Sequence, residues 1–138
     1  MDRITSVVLF VLGVLVTANS ALAAEERWKC LITIEVPTLG REAHVARQLT
    51  ISDTEVTSRA ASILPSAPLI HYKVIENSDD GLMAVANDSH RTDFDGSARD
   101  ATLIALDKRS GDFIEVAVSL SEKLPPGSWS NRGKCDRN

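Results

Sequence analysis

Asp93-Phe94-Asp95-Gly96 is the stretch of this 138-residue chain whose spacing comes nearest to a chemical motif. Alternate carboxylates followed by a glycine form the middle of a calcium-binding loop, where oxygen ligands wrap a hard cation. Setting Gly96 at the sixth loop position puts Arg91 at the first and Thr102 at the twelfth. Both places call for acidic oxygen donors, and helices to flank such a loop are missing. Asp93, Asp95 and Asp100 are the calcium candidates, in an acidic stretch that also holds Asp79, Asp80 and Asp88. The competing reading is a solvated acidic loop, and it fits the composition better.

Other reactive side chains are scattered. His44, His71 and His90 lie too far apart for a zinc-type spacing with one another or with a cysteine. His71 shares a strand face with Leu69 and Lys73, the setting of a packed or surface imidazole. Ser89 and His90 are neighbours, but adjacent side chains on a strand point to opposite faces, so their adjacency is not a nucleophile–base pair. No Gly-x-Ser-x-Gly elbow is present. The sequence therefore assigns no catalytic residue, no metal ligand beyond the calcium candidates, and no cofactor. Asn87-Asp88-Ser89 is a glycosylation sequon, which matters only in a eukaryotic secretory pathway.

Cys30 and Cys135 are the two cysteines of the chain. Upstream of them, Arg3 is followed by the apolar run Val7–Val16 and by Ala21-Leu22-Ala23, the three parts of a cleavable export signal over residues 1–23. Thr17, Asn19 and Ser20 interrupt the run before the ~20 apolar residues that a membrane span needs. Residues 24–138 are then expected as one domain, located in a periplasm or secreted. In such an oxidising compartment, two cysteines far apart in sequence read as a structural disulfide, Cys30–Cys135, joining the first strand to the last.

The elements that must position all these residues read as strands. Trp28, Cys30, Ile32, Ile34 and Val36 alternate with more polar neighbours until Pro37 and Gly40. Val45, Leu49 and Ile51 form a second apolar row, interrupted by Arg47. Leu69–Glu76 and Leu82–Asn87 flank the turn Asp79-Asp80-Gly81. Ala101–Asp107 and Phe113–Leu120 form a hairpin about Lys108-Arg109-Ser110-Gly111, with Ile114, Val116, Val118 and Leu120 expected on its inward face. Beyond Pro125-Pro126-Gly127 a loose tail is expected. Ser52-Asp53-Thr54-Glu55 matches a helix capping box, which admits a short helix near 53–64. The β-branched Val56 and Thr57 argue for a returning strand instead. The expected fold class is all-β: a small antiparallel meander or barrel with one disulfide and a packed interior.

Net charge is −4 and aromatic content 4%. That balance gives no basis for nucleic-acid binding or for attraction to an anionic membrane surface. A monomer without stable membrane insertion is expected after cleavage. Trp28-Lys29-Cys30, the hairpin Ile104–Phe113 and the closing Gly133-Lys134-Cys135 resemble small uncharacterised exported β-meander proteins of proteobacteria. The resemblance implies a Gram-negative periplasm and no chemistry. Periplasmic inhibitors of lysozyme are similar in outline, but their Ser-Gly-x-x-Tyr-type loop has no counterpart here. Three functional expectations follow: a non-enzymatic module binding a protein or envelope component, a small hydrolase or metal-dependent enzyme with a fold-assembled site, and a lysozyme-type inhibitor.

Overall fold

The computed structural model describes residues 24–36, 40–60, 69–92 and 96–138. The export signal and the calcium candidates Asp93 and Asp95 lie outside the described residues. The described residues form eight strands: β1 (Glu26–Val36), β2 (Arg41–Ile51), β3 (Glu55–Ala60), β4 (Leu69–Asn77), β5 (Gly81–Thr92), β6 (Gly96–Asp107), β7 (Asp112–Ser121) and β8 (Gly127–Arg137). Each pairs antiparallel with the next, and β1 pairs with β8, so the meander closes into a barrel. The stretch that offered a helix or a strand is β3. Val56 and Thr57 favour extended backbone, and Val56 gains full burial opposite Ile51 and Tyr72. Among the described residues there is no helix.

Closure places Cys30 directly opposite Cys135, and the two are joined by a disulfide. Two glycines let β8 sit where it does. Gly133 packs so closely on β1 that a Cβ would lie 2.5 Å from the Leu31 carbonyl oxygen. Gly111, at φ +75°, would place a Cβ 2.2 Å from the Cys135 carbonyl oxygen, and its own carbonyl accepts the Cys135 amide at 2.8 Å. The tail expected to be loose is thus the closing strand. Its residues are polar because most of them face water, and backbone pairing to both neighbours fixes it.

The inner rows meet in one core. Trp28, Ile32, Leu49, Ile51, Val56, Tyr72, Leu82, Ile104, Leu106 and Phe113 all pack in it. Beneath the core, the Lys108 ammonium donates to Glu26 Oε1 (2.7 Å) and to Asn77 Oδ1 (2.6 Å), and the Trp28 indole donates to Glu26 Oε2 (3.2 Å). This cluster ties β1, β4 and the β6–β7 turn across the end of the barrel that carries the connections 52–54, 78–80 and 108–111.

One parity is the reverse of the expected one. Phe113, Glu115 and Ala117 are the inward row of β7, exposed by 3%, 1% and 2%, whereas Val118 and Leu120 are 47% and 48% exposed. The outer row of β7 is therefore the apolar one, and the inner row carries a carboxylate. The hairpin turn sets this register: Asp107 Oδ1 accepts the amides of Arg109 (2.8 Å) and Ser110 (3.1 Å), and the Gly111 amide donates to the Asp107 carbonyl (2.7 Å). A shift of one residue would bring every side chain of β7 to the other face.

Replacing Cys135 by Ser should lower the melting temperature by at least several degrees, because in the chain-entropy account a loop this long is worth about 4–5 kcal/mol. Thermal unfolding followed by circular dichroism, with and without reductant, measures it. Burial of the Glu26 carboxyl works to raise its pKa, but the donors Lys108 and Trp28 and the charges of Lys108 and Arg137 hold it below the ordinary 4.5. A folded-state value lowered in this way stabilises the fold above the ordinary value and is lost as pH falls through the lowered one. Urea unfolding of Glu26→Gln should show lower stability at neutral pH and a smaller further loss below pH 4.5 than the native chain.

Candidate functional site

The two ends of the barrel differ. At the end opposite the Lys108 cluster, side chains on the inner rows reach water. Ile70 faces inward by register, across from Ser58, yet is 39% exposed, and Trp129 faces inward across from Ala117, yet is 46% exposed. An inward residue can be that accessible only where the barrel is open. The cavity at this mouth has a volume of about 560 Å³ and is bounded by Leu69, Ile70, Tyr72, Asp88, Asp100 and Trp129, with Arg47 and Glu115 at its floor. Arg47 and Trp129 also border a neighbouring depression of about 800 Å³ against Ile34 and Asn131.

The floor is a polar network built from four strands. Arg47 (β2) and Glu115 (β7) form an ion pair, Nη1 to Oε1, at 2.6 Å. The Tyr72 hydroxyl (β4) donates to the same Oε1 at 3.2 Å, and the Asn131 amide (β8) donates to Oε2 at 3.1 Å. Arg47, which interrupts an apolar row in the sequence, does so to meet a carboxylate 68 residues away. Burial, with the negative charge of Glu115 beside it, pushes the Tyr72 phenol well above its usual range. The phenol therefore stays protonated and remains a donor. With both oxygens of Glu115 engaged, the network offers no general base: it holds its own members rather than a substrate. Ser58 adds a buried hydroxyl under the mouth, with no hydrogen-bond partner among the described residues.

The residues singled out from the sequence are distributed differently. Asp88 and Asp100, read as part of an acidic loop, sit in strands and lie directly opposite each other on inner rows of β5 and β6. The Asp88 carboxylate accepts the Ser89 amide at 2.8 Å. His44 faces outward and contacts the Thr33 hydroxyl at 3.3 Å. His71 also faces outward, and its Nδ1 lies 2.6 Å from Glu55 Oε1. Among the described residues, no group of three or more His, Cys, Asp or Glu side chains could hold a metal ion. Sequence reasoning missed Glu115, Tyr72 and Asn131. The one signal available was a pair of ionisable residues, Arg47 breaking the apolar row Val45, Leu49, Ile51 and Glu115 lying within the apolar stretch Phe113–Leu120.

A double-mutant cycle tests the floor. Removing one partner of a buried pair costs about 3–5 kcal/mol, so Arg47→Met and Glu115→Gln should each destabilise strongly in urea unfolding. The double variant should be less destabilised than the sum of the two by more than about 1 kcal/mol. Strict additivity would mean that the two side chains do not interact. Comparison with known proteins finds no matching family model, no similar curated protein and no similar solved structure.

Proposed function

We propose that this chain is an exported, non-catalytic binding domain that engages a protein or envelope component at the open end of its barrel. The observation that carries the reading is the exposure of inward-facing Ile70 and Trp129 at one end of a barrel whose other end is plugged. An aromatic and two aliphatic side chains around a concave mouth are the kind of group that anchors a partner. The Arg47–Glu115–Tyr72–Asn131 floor fits this role, since its polar groups satisfy one another and need no ligand to do so. Asp88 at the edge favours a partner with a basic neighbour to its apolar anchor.

The disulfide is consistent with an oxidising, extracytoplasmic location, and a periplasm is the compartment that the export signal and the resemblance suggest. Membrane insertion of the barrel fits poorly. A membrane barrel is apolar outside and polar within, whereas this one buries its apolar core and carries Lys29, Gln48, Arg59 and Lys73 on outward rows.

Pull-down from an envelope extract tests the reading. Immobilised native protein should retain a defined set of components. Ile70→Asp with Trp129→Ser should lose them, and Asp53→Lys, at the plugged end, should keep them. Retention by the mouth variant, or no specific retention by the native chain, would sink the proposal. Protection of cells in a lysozyme lysis assay would identify the partner as a muramidase.

A further inference from the structure

At the open end the wall of the barrel itself parts, between β4 and β5. Lys73 pairs with Val85 and Val74 with Ala84, but residues 69–72 have no partner in residues 86–89. Each segment keeps its other neighbour: 69–72 pair with β3, and 86–89 pair with β6. The register shifts between Val74 and Glu76, a bulge of the kind that bends one strand away from the next. The mouth cavity follows the parting. Consecutive residues line it on both sides, Leu69 to Tyr72 and Ala86 to Asp88. Successive side chains of a strand point to opposite faces, so they share one cavity only where it runs past the strand's edge.

The direction of the backbone groups follows from the ladder. Gly81 bonds Ser78 through both its amide and its carbonyl, so it faces the β4 side. Alternate residues of β5 face the same way, which turns Asn87 and Ser89 toward the gap. On β4, the Val74 amide donates to the Thr54 carbonyl on the β3 side, so His71 and Leu69 face β5. The peptide groups of these four residues therefore border the gap from two sides. The Ser89 amide is covered by the Asp88 carboxylate at 2.8 Å.

We propose that this gap takes an extended peptide segment of a partner protein, added as a strand antiparallel to β5, with a basic side chain facing Asp88 and an apolar one, two residues later, facing Ala86. The inference rests on the mouth being a binding site and names how the partner is held there. Main-chain hydrogen bonds to the gap edges supply the affinity, and alternate side chains supply the selectivity. Inward side chains of the added strand enter the mouth. There Asp88 and Asp100 stand directly opposite each other on neighbouring strands, an arrangement of like charges that a cation between or beside them relieves. Among the described residues, the cavity is lined by three carboxylates, Asp88, Asp100 and Glu115, and by one guanidinium, Arg47, which is already paired with Glu115. The excess is negative, so a Lys or Arg is favoured opposite Asp88. Trp129 on the same cavity supplies an apolar surface for the stem of that side chain. Ala86 is small, which leaves the residue facing it room against Tyr72 and Ile70.

A displayed library of random peptides of about ten residues, the upper length of an ordinary strand, is selected on the full purified protein. Enriched sequences should carry Lys or Arg two residues before Val, Ile or Leu. One such peptide, synthesised, should slow hydrogen exchange at the His71 and Asn87 amides. Asp88→Lys, at an exposed position, should bind it at least about ten-fold more weakly, and replacing the peptide's basic residue by Glu should recover binding to that variant. Asp88→Asn, which keeps the shape and removes the charge, should fall between the two. A selection that enriches nothing, enriched peptides without the basic residue, or binding that leaves both amides exchanging as before would each overturn strand addition. If the native chain still retains envelope components through Ile70 and Trp129 in such a case, the mouth stands as a binding site and only this mode of holding the partner falls.

Discussion

A carboxylate buried inside the eight-stranded barrel constrains nearly everything else in this molecule. Glu115 has almost no access to water, and a buried charge without partners would cost several kcal/mol. Three donors from three other strands meet it: Arg47, Tyr72 and Asn131. To bring them together, β2, β4, β7 and β8 must keep their registers simultaneously. A slip of one residue in β2, β4 or β8 would turn a donor outward and leave the charge unmet, so those three registers are tied to the inward position of Glu115.

The consequence is a barrel with two unlike halves. Below the network, Trp28, Leu49, Ile51, Val56, Leu82, Leu106 and Phe113 fill the interior, and the Lys108–Glu26–Asn77 cluster ties the strand ends beneath them. Above it, the strands continue but the filling stops, and Ile70 and Trp129 stand on inner rows in contact with water. The expected packed interior describes the lower half only. β7 links the two halves to the outside. By sending Glu115 inward, it sends Ile114, Val116, Val118 and Leu120 outward, where they join apolar side chains of β5 and β6.

Closure is secured at one seam. β8 is short of apolar side chains and would hold weakly by burial alone. Gly133 lets it approach β1, with Phe113 lying across from that glycine on the other side, and the disulfide fixes the pairing covalently. Gly111 completes the seam, since only a residue without a side chain fits its left-handed backbone against Cys135.

Local pattern fixed much of this in advance. Period-two alternation identified the first strands and their inner rows, Asp-Gly and Lys-Arg-Ser-Gly marked the turns, and two lone cysteines gave the clasp between first and last strands. Each of those is a property of neighbours in the chain, or of a pair with no competitor. The polarity of β7, the structured tail and the open mouth were not legible. Alternation says which residues share a face but not which face is inside, and the four Ile, Val and Leu residues of β7 outweigh one glutamate in any local count. Only the closed barrel brings Arg47, Tyr72 and Asn131 around Glu115; donors from three other strands make an inward carboxylate tolerable, and no segment contains that arrangement by itself.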